Sequence, residues 1–440
     1  MIPNLIFILV FLFAVGLFYF KVRTISHDIN LGKPVEIKDN RLRRWKLMAK
    51  VAIGQSKMIT RPIPATVHIF VYVGFIIVNI EMLEILIDGI SGTHRFFSFT
   101  GNLYPVLISA FEIFGVAVIL GCIVFLSRRN IIRLKRFWSS EMKIWPRSDA
   151  NIILVTEILL MSAILTMNAT DSILQVRNNP HYPAVGSFLL SGLLKPLFSG
   201  LSDETLVFLE RFCWWFHIVG VLAFLNYIPY SKHFHVFLSF PNVYYSKLDP
   251  QGKIVHMPSI TKEIKMILSG NVEYNATGVN EDIGQFGSRD CRDFTWKVLM
   301  EAYTCTECGR CTSSCPANLT GKKLSPRKVV MDMRDRLEYI GKNIRKHGAE
   351  FADNKSLLDL VTPEELWACT TCNACATECP VNIDPVAMII EMRRYLVMEK
   401  AAAPAELNAI FSNIENNGAP WQFSNEDRLL WADNIELGIK

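Results

Sequence analysis

Two groups of cysteines have the spacing of metal ligands. In each group, cysteines follow one another after two, two and three intervening residues, and a proline comes next. The members are Cys305, Cys308, Cys311 and Cys315 in the first group, and Cys369, Cys372, Cys375 and Cys379 in the second. Three thiolates at this spacing can wrap one corner of an iron–sulfur cube, whereas a zinc site usually shows two pairs with a longer gap. The repeat predicts two [4Fe–4S] clusters.

The fourth cysteine of each group is expected to bind the other cluster. In proteins with two clusters and this spacing, the cysteine before the proline crosses over. One predicted ligand set is therefore Cys305, Cys308, Cys311 and Cys379. The other is Cys369, Cys372, Cys375 and Cys315.

Three histidines lie in or beside long apolar segments. His68 is near the start of the second segment, while His217 lies inside the fifth and His235 follows it. The eighteen residues from His217 to His235 span about 27 Å of helix, so these two lie at different depths. Alternating helices place His68 and His235 at the same end, where two imidazoles can hold one haem iron. The remaining histidines are expected in loops or on the soluble surface: His27, His94, His181, His233, His256 and His347.

Carboxylates form a third group of candidates. Glu81 and Glu84 lie in the second apolar segment, Glu112 in the third, and Glu210 stands next to Arg211 in the fifth. Charged groups at this depth face the bundle interior rather than lipid. Glu81, Glu84 and Glu112 are candidates for proton transfer. The alternative for such groups is a pairing, such as Glu210 with Arg211, that only ties helices together.

The elements that position these residues are membrane helices. The chain has 440 residues, half of them apolar and only 20% charged, and a spanning helix needs about 20 apolar residues. Five segments qualify, at approximately 3–20, 65–87, 104–126, 152–169 and 206–228. The first is predicted to be a retained helix because Lys21 and Arg23 follow it and no basic residue precedes it.

The distribution of basic residues among the loops sets the expected orientation of the helices in the membrane. Lysine and arginine concentrate in the loops 21–64 and 127–151, and the other two loops hold few. Basic loops stay in the cytoplasm, so the N-terminus is predicted outside and everything after the fifth helix inside. The expected location is a bacterial-type inner (plasma) membrane. The net charge of +5 is too small to indicate nucleic-acid binding.

The membrane half resembles the nitrate reductase gamma subunit, a five-helix cytochrome b. The resemblance covers residues 1 to about 245 and rests on His68, on His217 and His235 with Pro229-Tyr230-Ser231-Lys232 between them, and on Ser148-Asp149. It implies haem b and quinone chemistry, with menaquinone or ubiquinone. Glu81, Glu84 and Glu112 are then the candidates for proton transfer to the quinone. The family has a second histidine ten residues after the first, where this chain has Val78. We therefore expect one haem b between His68 and His235, with a second at His217 left open.

The cytoplasmic half resembles the heterodisulfide reductase C subunit and the iron–sulfur subunits of succinate dehydrogenase, over about 290–400. Ser325-Pro326 and Asp384-Pro385 are predicted helix starts. The expected fold is all-α, a five-helix transmembrane bundle followed by an all-helical two-cluster ferredoxin domain. The expected divisions are a cytochrome b-like domain at 1–235, a connecting segment on the membrane surface at 236–295, the ferredoxin-like domain at 296–400 and a helical tail at 401–440.

Together these features predict an electron-transfer subunit of a respiratory oxidoreductase. It would connect the quinone pool with a soluble partner, either electron-transferring flavoprotein or a subunit with cysteine-rich CCG domains. This chain has no adjacent cysteines of its own, so the substrate-facing site is expected on another chain. One alternative is a subunit of a disulfide or sulfur-compound reductase. A further one is a redox sensor or anchor without turnover.

Overall fold

The computed structural model describes residues 2–186, 188–269 and 284–432, and within these the chain folds into helices, turns and one isolated bridge between Lys33 and Thr295. The α-helices of eight or more residues are α1 (Ile2–Ile29), α2 (Arg41–Met48), α3 (Pro62–Ser91), α4 (Tyr104–Leu126), α5 (Trp145–Val176), α6 (Asp203–Tyr227), α7 (His235–Tyr244), α8 (Pro258–Leu268), α9 (Trp296–Thr304), α10 (Pro326–His347), α11 (Pro385–Arg394) and α12 (Ala405–Asn417). The expectation of an all-α chain is confirmed for this part of the sequence.

Shorter helical segments connect these helices. Single-turn α-helices are Lys195–Phe198, Arg310–Ser313, Pro316–Leu319, Pro363–Trp367 and Ala374–Glu378. The 3₁₀ segments are Phe96–Leu103, Lys135–Phe137, Ser191–Leu194, Ile228–Tyr230, Lys232–Phe234, Cys291–Asp293, Leu357–Asp359 and Asn425–Ala432, and π-helical turns cover Ala49–Ile53, Ser127–Ile131 and Tyr395–Glu399. The predicted connecting segment 236–295 contains α7 and α8, and its residues 270–283 lie outside the described residues, as does the end of the predicted tail.

Among the described residues, five helices are long and apolar enough to cross a membrane. They span Ile2–Ile29, Pro62–Ser91, Phe96–Ile131, Trp145–Val176 and Asp203–Tyr230. Each contains one of the five predicted segments and extends beyond it, and each exceeds the roughly 20 residues that a bilayer requires. The prediction of five helices with the length and composition to span a membrane is confirmed.

Side-chain caps fix where several helices begin. Ser325 accepts a hydrogen bond from the Lys328 amide at the start of α10, and Asp384 accepts one from the Ala387 amide at the start of α11. In both helices a proline follows the cap, where its missing N–H costs nothing. Both predicted starts are confirmed.

The cysteine-containing part packs against one end of the helical bundle. Arg345 of α10 pairs with Asp28 at the end of α1. Arg61, just before α3, lies 3.1 Å from Glu378 between the guanidinium and carboxylate atoms. The two basic loops, 21–64 and 127–151, therefore contact the iron–sulfur part from the same end of the bundle.

A buried salt bridge completes this docking. Arg327 of α10 is fully buried, and its Nη2 lies 2.7 Å from a carboxylate oxygen of Glu141 in the loop before α5. The apolar core is also continuous, because Ile25 of α1 and Phe224 of α6 belong to the same buried cluster as Leu299 of α9. The two halves of the chain thus share one core.

Candidate functional site

The two cysteine loops share left-handed residues at two matching positions. The second residue after the first cysteine has a positive φ in both loops, +52° at Glu307 and +54° at Thr371. The residue after the second cysteine does so as well, with +70° at Gly309 and +60° at Asn373. Residues that are not glycine rarely adopt this left-handed conformation. Because the left-handed conformation recurs at matching positions, each loop curves around a centre of its own.

Four cysteines from both groups line one cavity. Cys305, Cys308 and Cys311 of the first group lie around it together with Cys379 of the second. The cavity has an empty volume of about 370 Å³, part of it open to solvent. The Ile383 amide donates to the sulfur of Cys379 at 3.3 Å, a contact that stabilises a thiolate. The structure brings together the four cysteines predicted as one ligand set.

The other four cysteines form a second group. Cys315 lies within electrostatic range of Cys369 and Cys375, and Cys372 within range of Cys369. The Thr371 amide donates to the Cys369 sulfur at 3.4 Å. Cys372 is exposed, whereas Cys315 and Cys375 are buried, so this group reaches the protein surface at Cys372.

The surroundings of these cysteines favour an iron–sulfur cluster, because the iron ions of the cluster supply positive charge. Burial raises the pKa of Cys305 and of Cys375 to about 12, and that of Cys379 to about 11. Thiols in such surroundings become thiolates when iron binds them. Within the described residues, no three histidine, cysteine, aspartate or glutamate side chains converge closely enough to hold a single metal ion. The sulfurs surround a space, as the ligands of a cluster do.

Three histidines meet where the bundle joins the iron–sulfur part. His68 of α3 lies within electrostatic range of His235, at the start of α7. His235 Nδ1 donates to the Lys232 carbonyl oxygen at 2.9 Å in the tautomer that leaves Nε2 free as a ligand. No described residue hydrogen-bonds the buried Nδ1 of His68. These contacts fit a pair of haem ligands.

His233 corrects the sequence-based expectation of a loop or surface residue. Its ring lies 5.5 Å from that of Phe224 and 5.7 Å from that of His235 between centroids. Burial, together with the neighbouring His235, lowers the pKa of His233 to about 3, so its imidazole is neutral. The expectation failed because the short segment 231–235 packs against α6, where Phe224 contacts His233. His233 is a third candidate ligand at this end.

His217 lies apart from these three, inside α6. It is buried, and its Nδ1 donates to the Leu160 carbonyl oxygen of α5 at 3.0 Å, which orients the ring. The position on α3 where the resemblance requires its partner is Val78. Val78 packs among Val118, Leu160 and other apolar side chains.

Two of the three candidate glutamates are held by several donors. Glu84 accepts hydrogen bonds from the Phe97 amide at 2.7 Å and from the Tyr104 hydroxyl at 2.9 Å. Glu112 accepts from the amide of Leu190 at 2.7 Å and from the amide and hydroxyl of Ser191. Both carboxylates therefore fasten the connecting segments at this end of the bundle.

Glu81 differs from these two. Only 1% of its surface is exposed, and within the described residues its carboxyl oxygens make no hydrogen bond of standard geometry, although the Asn168 side chain lies close to them. Its nearest cation is Arg95, whose Nη1 lies 3.9 Å from Glu81 Oε1. Arg95 also binds Asp171 and Asn168, at 2.9 and 2.6 Å.

Arg95 was not among the residues predicted from the sequence. The available signal was a lone arginine beside a helix that carries Glu81, Glu84 and Asp88. Glu210, by contrast, pairs with Arg211 and accepts from the Tyr182 hydroxyl at 2.9 Å. Glu210 and Arg211 are neighbours on α6, so their pairing joins no helices, and it is the Tyr182 bond that connects Glu210 to another segment.

A chain of buried charges links the histidines to the first cysteine loop. Lys232 Nζ lies 2.5 Å from Glu307 Oε2, and Glu307 stands between Cys305 and Cys308. Arg334 donates to the other oxygen of Glu307 at 2.7 Å. The Lys232 amide donates to Asp149 at 3.1 Å. These side chains line a polar cleft with an empty volume of about 490 Å³ that opens to solvent.

Comparison with known proteins identifies the cysteine-containing part. A family model described as a 4Fe-4S dicluster domain matches residues 304–383. The chain therefore carries a domain for iron–sulfur clusters. The probable iron-sulfur-binding oxidoreductase FadF of Bacillus subtilis is 27% identical over 465 residues, covering 98% of this chain and 60% of that protein.

Two further relatives are oxidoreductases by name. EtfAB:quinone oxidoreductase of Syntrophomonas wolfei is 27% identical, over 88% of this chain and 53% of its own. One polypeptide of the dihydromethanophenazine:CoB–CoM heterodisulfide reductase of Methanosarcina acetivorans is 30% identical, over 33% of this chain and 36% of that polypeptide. The chain thus spans 53–60% of the length of FadF and EtfAB:quinone oxidoreductase. No solved structure matches. The relatives support a redox role.

Proposed function

We propose that this chain is a membrane-bound electron-transfer subunit that connects a membrane quinone with a soluble redox partner through two [4Fe–4S] clusters. The predicted ligands of these clusters are the two cysteine sets described above, each of which takes its fourth member from the other cysteine group. The observation that carries the proposal is the junction between the halves. The His235 ring donates to the carbonyl of Lys232, and the Lys232 side chain binds Glu307 within the loop of the first cluster. Two hydrogen-bonded contacts thus separate a candidate haem ligand from that loop.

The membrane half is proposed to hold haem b. His68 and His235 are the ligands we expect, with His233 as the neighbour that could replace either. A haem b bound here would exchange single electrons. Imidazoles bind haem iron, and the bond from His235 Nδ1 to the Lys232 carbonyl leaves Nε2 of that ring available as a ligand. A second haem at His217 would need a partner other than Val78.

The iron–sulfur part is proposed to lie in the cytoplasm, with the N-terminus outside. Both basic loops contact this part, and basic loops are retained in the cytoplasm. Cys372 is exposed, so the second cluster would be close enough to the surface to serve a soluble partner. The similarity to EtfAB:quinone oxidoreductase favours electron-transferring flavoprotein as that partner. A subunit with CCG domains is the other partner that we expect from the sequence. The predicted domain boundaries, which follow residues 235, 295 and 400, are also part of this proposal.

The test is a redox reaction on purified protein. Protein reduced with dithionite and freed of the excess is mixed with a menaquinone or ubiquinone analogue under anaerobic conditions. We expect rapid reoxidation, followed through the haem absorbance and the electron paramagnetic resonance (EPR) of the clusters. A protein with full iron and haem content that no quinone reoxidises would contradict the proposal.

A second candidate is a subunit of a disulfide or sulfur-compound reductase. The similarity to the heterodisulfide reductase polypeptide, over a third of this chain, favours it. Purification of the native complex separates the two candidates. A flavoprotein homologous to electron-transferring flavoprotein supports the quinone-linked function, and a CCG subunit that reduces disulfides supports the reductase.

A further inference from the structure

We propose that the loop between α4 and α5 binds the phosphate of an anionic membrane phospholipid, chiefly through Arg133 and Arg147. Neither residue belongs to the cysteine and histidine sites of the proposed function. Three features of the loop point to such a ligand: basic residues without ion pairs, an aromatic ring that holds two of them together, and exposed apolar side chains beside them.

The loop is rich in basic residues that have no acidic partner. Residues 127–151 hold seven lysines and arginines but only two acids, Glu141 and Asp149. Glu141 pairs with Arg327, and Asp149 lies 3.7 Å from Lys232 Nζ. Within the described residues, none of the seven forms an ion pair: Arg128, Arg129, Arg133, Lys135, Arg136, Lys143 and Arg147.

The Trp138 ring holds two of these arginines together. The guanidinium carbons of Arg133 and Arg147 lie 5.0 and 3.8 Å from its centroid, and these two arginines are called the Trp138 pair below. Arg133 Nε donates to the Asn130 carbonyl oxygen at 3.3 Å, while Arg147 Nε is buried. The terminal nitrogens of both have no acceptor in the part of the chain that the structure describes. Because like charges repel, an anion at this position stabilises the pair.

Two other arginines lie closer to the iron–sulfur part. Arg129 and Arg136 stack on Phe137, with guanidinium carbons 4.5 and 4.8 Å from the ring centroid. Arg136 lies within electrostatic range of Cys308, a predicted ligand of the first cluster. The negative charge of that cluster is therefore available to these two arginines, whereas the Trp138 pair requires an anion from outside the protein.

The Trp138 pair lies at the edge of the membrane. The third candidate spanning helix ends at Ile131 and the fourth begins at Trp145, so Arg133 closely follows one span and Arg147 lies in the first turn of the next. Tryptophan is common at this depth. The apolar side chains around the pair are exposed: Ile131, Ile132, Ile144 and Trp145. A lipid suits this surface, because its acyl chains contact the apolar side chains while its phosphate meets the arginines.

Arginine is the side chain best suited to this ligand. Its planar guanidinium group donates two parallel hydrogen bonds to a phosphate, and anionic lipids attract basic residues to the membrane surface. The other basic loop, 21–64, differs because several of its charges bind protein groups. Lys57 donates to the Ala376 carbonyl oxygen, and Arg61 to the Glu378 carboxylate. The site therefore depends on free arginines and not on loop charge alone.

The same loop docks the iron–sulfur part. Arg327 donates to the Arg136 carbonyl oxygen and to the Glu141 carboxylate, both at 2.7 Å. These acceptors lie between Arg133 and Arg147 in the sequence, so a phospholipid bound to the Trp138 pair fixes both ends of the docking segment. A ligand that binds only the folded protein also raises its unfolding temperature.

The test measures lipid binding to the purified chain in detergent. Native mass spectrometry follows binding of phosphatidylglycerol and, separately, of phosphatidylcholine with the same acyl chains. We expect phosphatidylglycerol to bind more tightly and to raise the unfolding temperature. Equal binding of the two lipids would overturn the proposal. An equal rise in unfolding temperature with the same concentration of inorganic phosphate would overturn it too, because the ligand would then be a dissolved anion.

Two double variants locate the site. Arg133→Gln with Arg147→Gln removes the Trp138 pair, and Arg41→Gln with Arg43→Gln removes two exposed arginines from the other basic loop. Both double variants lose the same charge. We expect the first to weaken phosphatidylglycerol binding at least about tenfold, and the second to leave it nearly unchanged. Equal weakening in both would indicate diffuse attraction to the loops, and unaltered binding in the first would exclude these residues; either result overturns the proposal.

Haem and iron contents distinguish this site from a cofactor site. We expect both contents to be unchanged in the two double variants. Loss of haem on removal of the Trp138 pair would show that these arginines hold the haem, and would overturn the proposal. If that double variant does not fold, Arg133→Gln alone, at an exposed side chain, takes its place and is expected to weaken binding in the same direction.

Discussion

Cys315 lies in the first cysteine group but is close to Cys369 and Cys375 of the second. We expect Cys315→Ser to damage the second cluster, because Cys315 belongs to the ligand set of that cluster. The cluster at Cys305 loses no ligand and should stay largely intact. Iron and sulfide analysis with EPR of the reduced protein measures this. Selective loss of the cluster at Cys305 would show that the cysteines do not cross over.

Substitutions at Lys232 and at Glu307 are predicted to shift the reduction potential of the first cluster in opposite directions. Lys232→Met removes a positive charge beside the first cluster, so its reduction potential should fall, whereas Glu307→Gln should raise it. A unit charge about 10 Å away at an effective dielectric constant of about 20 corresponds to roughly 1.7 kcal/mol, or on the order of 70 mV. EPR-monitored redox titration gives both shifts.

Lys323→Met serves as the matched control for this pair. Lys323 forms an exposed ion pair with Glu364, with both side chains more than 60% exposed, and such pairs contribute little. Shifts of the same sign in Lys232→Met and Glu307→Gln would contradict the electrostatic explanation.

Among the helices, the contact between α10 and the loop before α5 holds the two halves together. Burial opposes ionisation of Glu141, but the Arg327 guanidinium and hydrogen bonds from Arg327 and Ser325 hold its pKa at about 2, below the usual 4.5. Glu141→Gln leaves Arg327 buried without its counter-charge. We expect a loss of about 1–3 kcal/mol in the stability of this docking, measured by thermal unfolding.

The pH dependence of this loss has a definite sign. Because the folded pKa of Glu141 lies below the unfolded value, its contribution is complete above about pH 4.5 and falls as the pH drops toward 2. The difference between Glu141→Gln and the unmodified protein should therefore be constant from about pH 6 to 8. Glu364→Gln, at the exposed pair, is the control. A difference that disappears within that range would contradict the assignment.

Local patterns explain which elements could be predicted. The five membrane helices follow from runs of apolar residues, and the starts of α10 and α11 follow from a capping side chain and a proline. The cysteine sets follow from spacing. Contacts such as Lys232 with Glu307 and Arg95 with Asp171 join residues about 75 positions apart, and no local pattern encodes them. His233 was misplaced for the same reason, since its burial depends on how residues 231–235 pack against α6.

For the whole molecule, cofactor content is the simplest prediction. We expect about eight non-haem irons per chain from two four-iron clusters, with one haem b. Anaerobic iron and sulfide analysis and a pyridine-haemochrome assay measure these. A non-haem iron content near four, or stoichiometric zinc, would contradict the cluster assignment. Two haems per chain, of which His68→Ala removes only one, would show that His217 binds a second haem together with a ligand from a position other than Val78.

Joining a haem in the membrane to two clusters outside it is the role that we propose for the molecule as a whole. The most direct measurement follows both kinds of centre in one sample. Dithionite-reduced protein, freed of excess reductant, receives a menaquinone analogue, and the haem spectrum and cluster EPR are recorded together over time. We predict that haem b and both clusters are reoxidised. A protein that contains both clusters but no haem, or whose clusters stay reduced after the haem is reoxidised, would contradict the account.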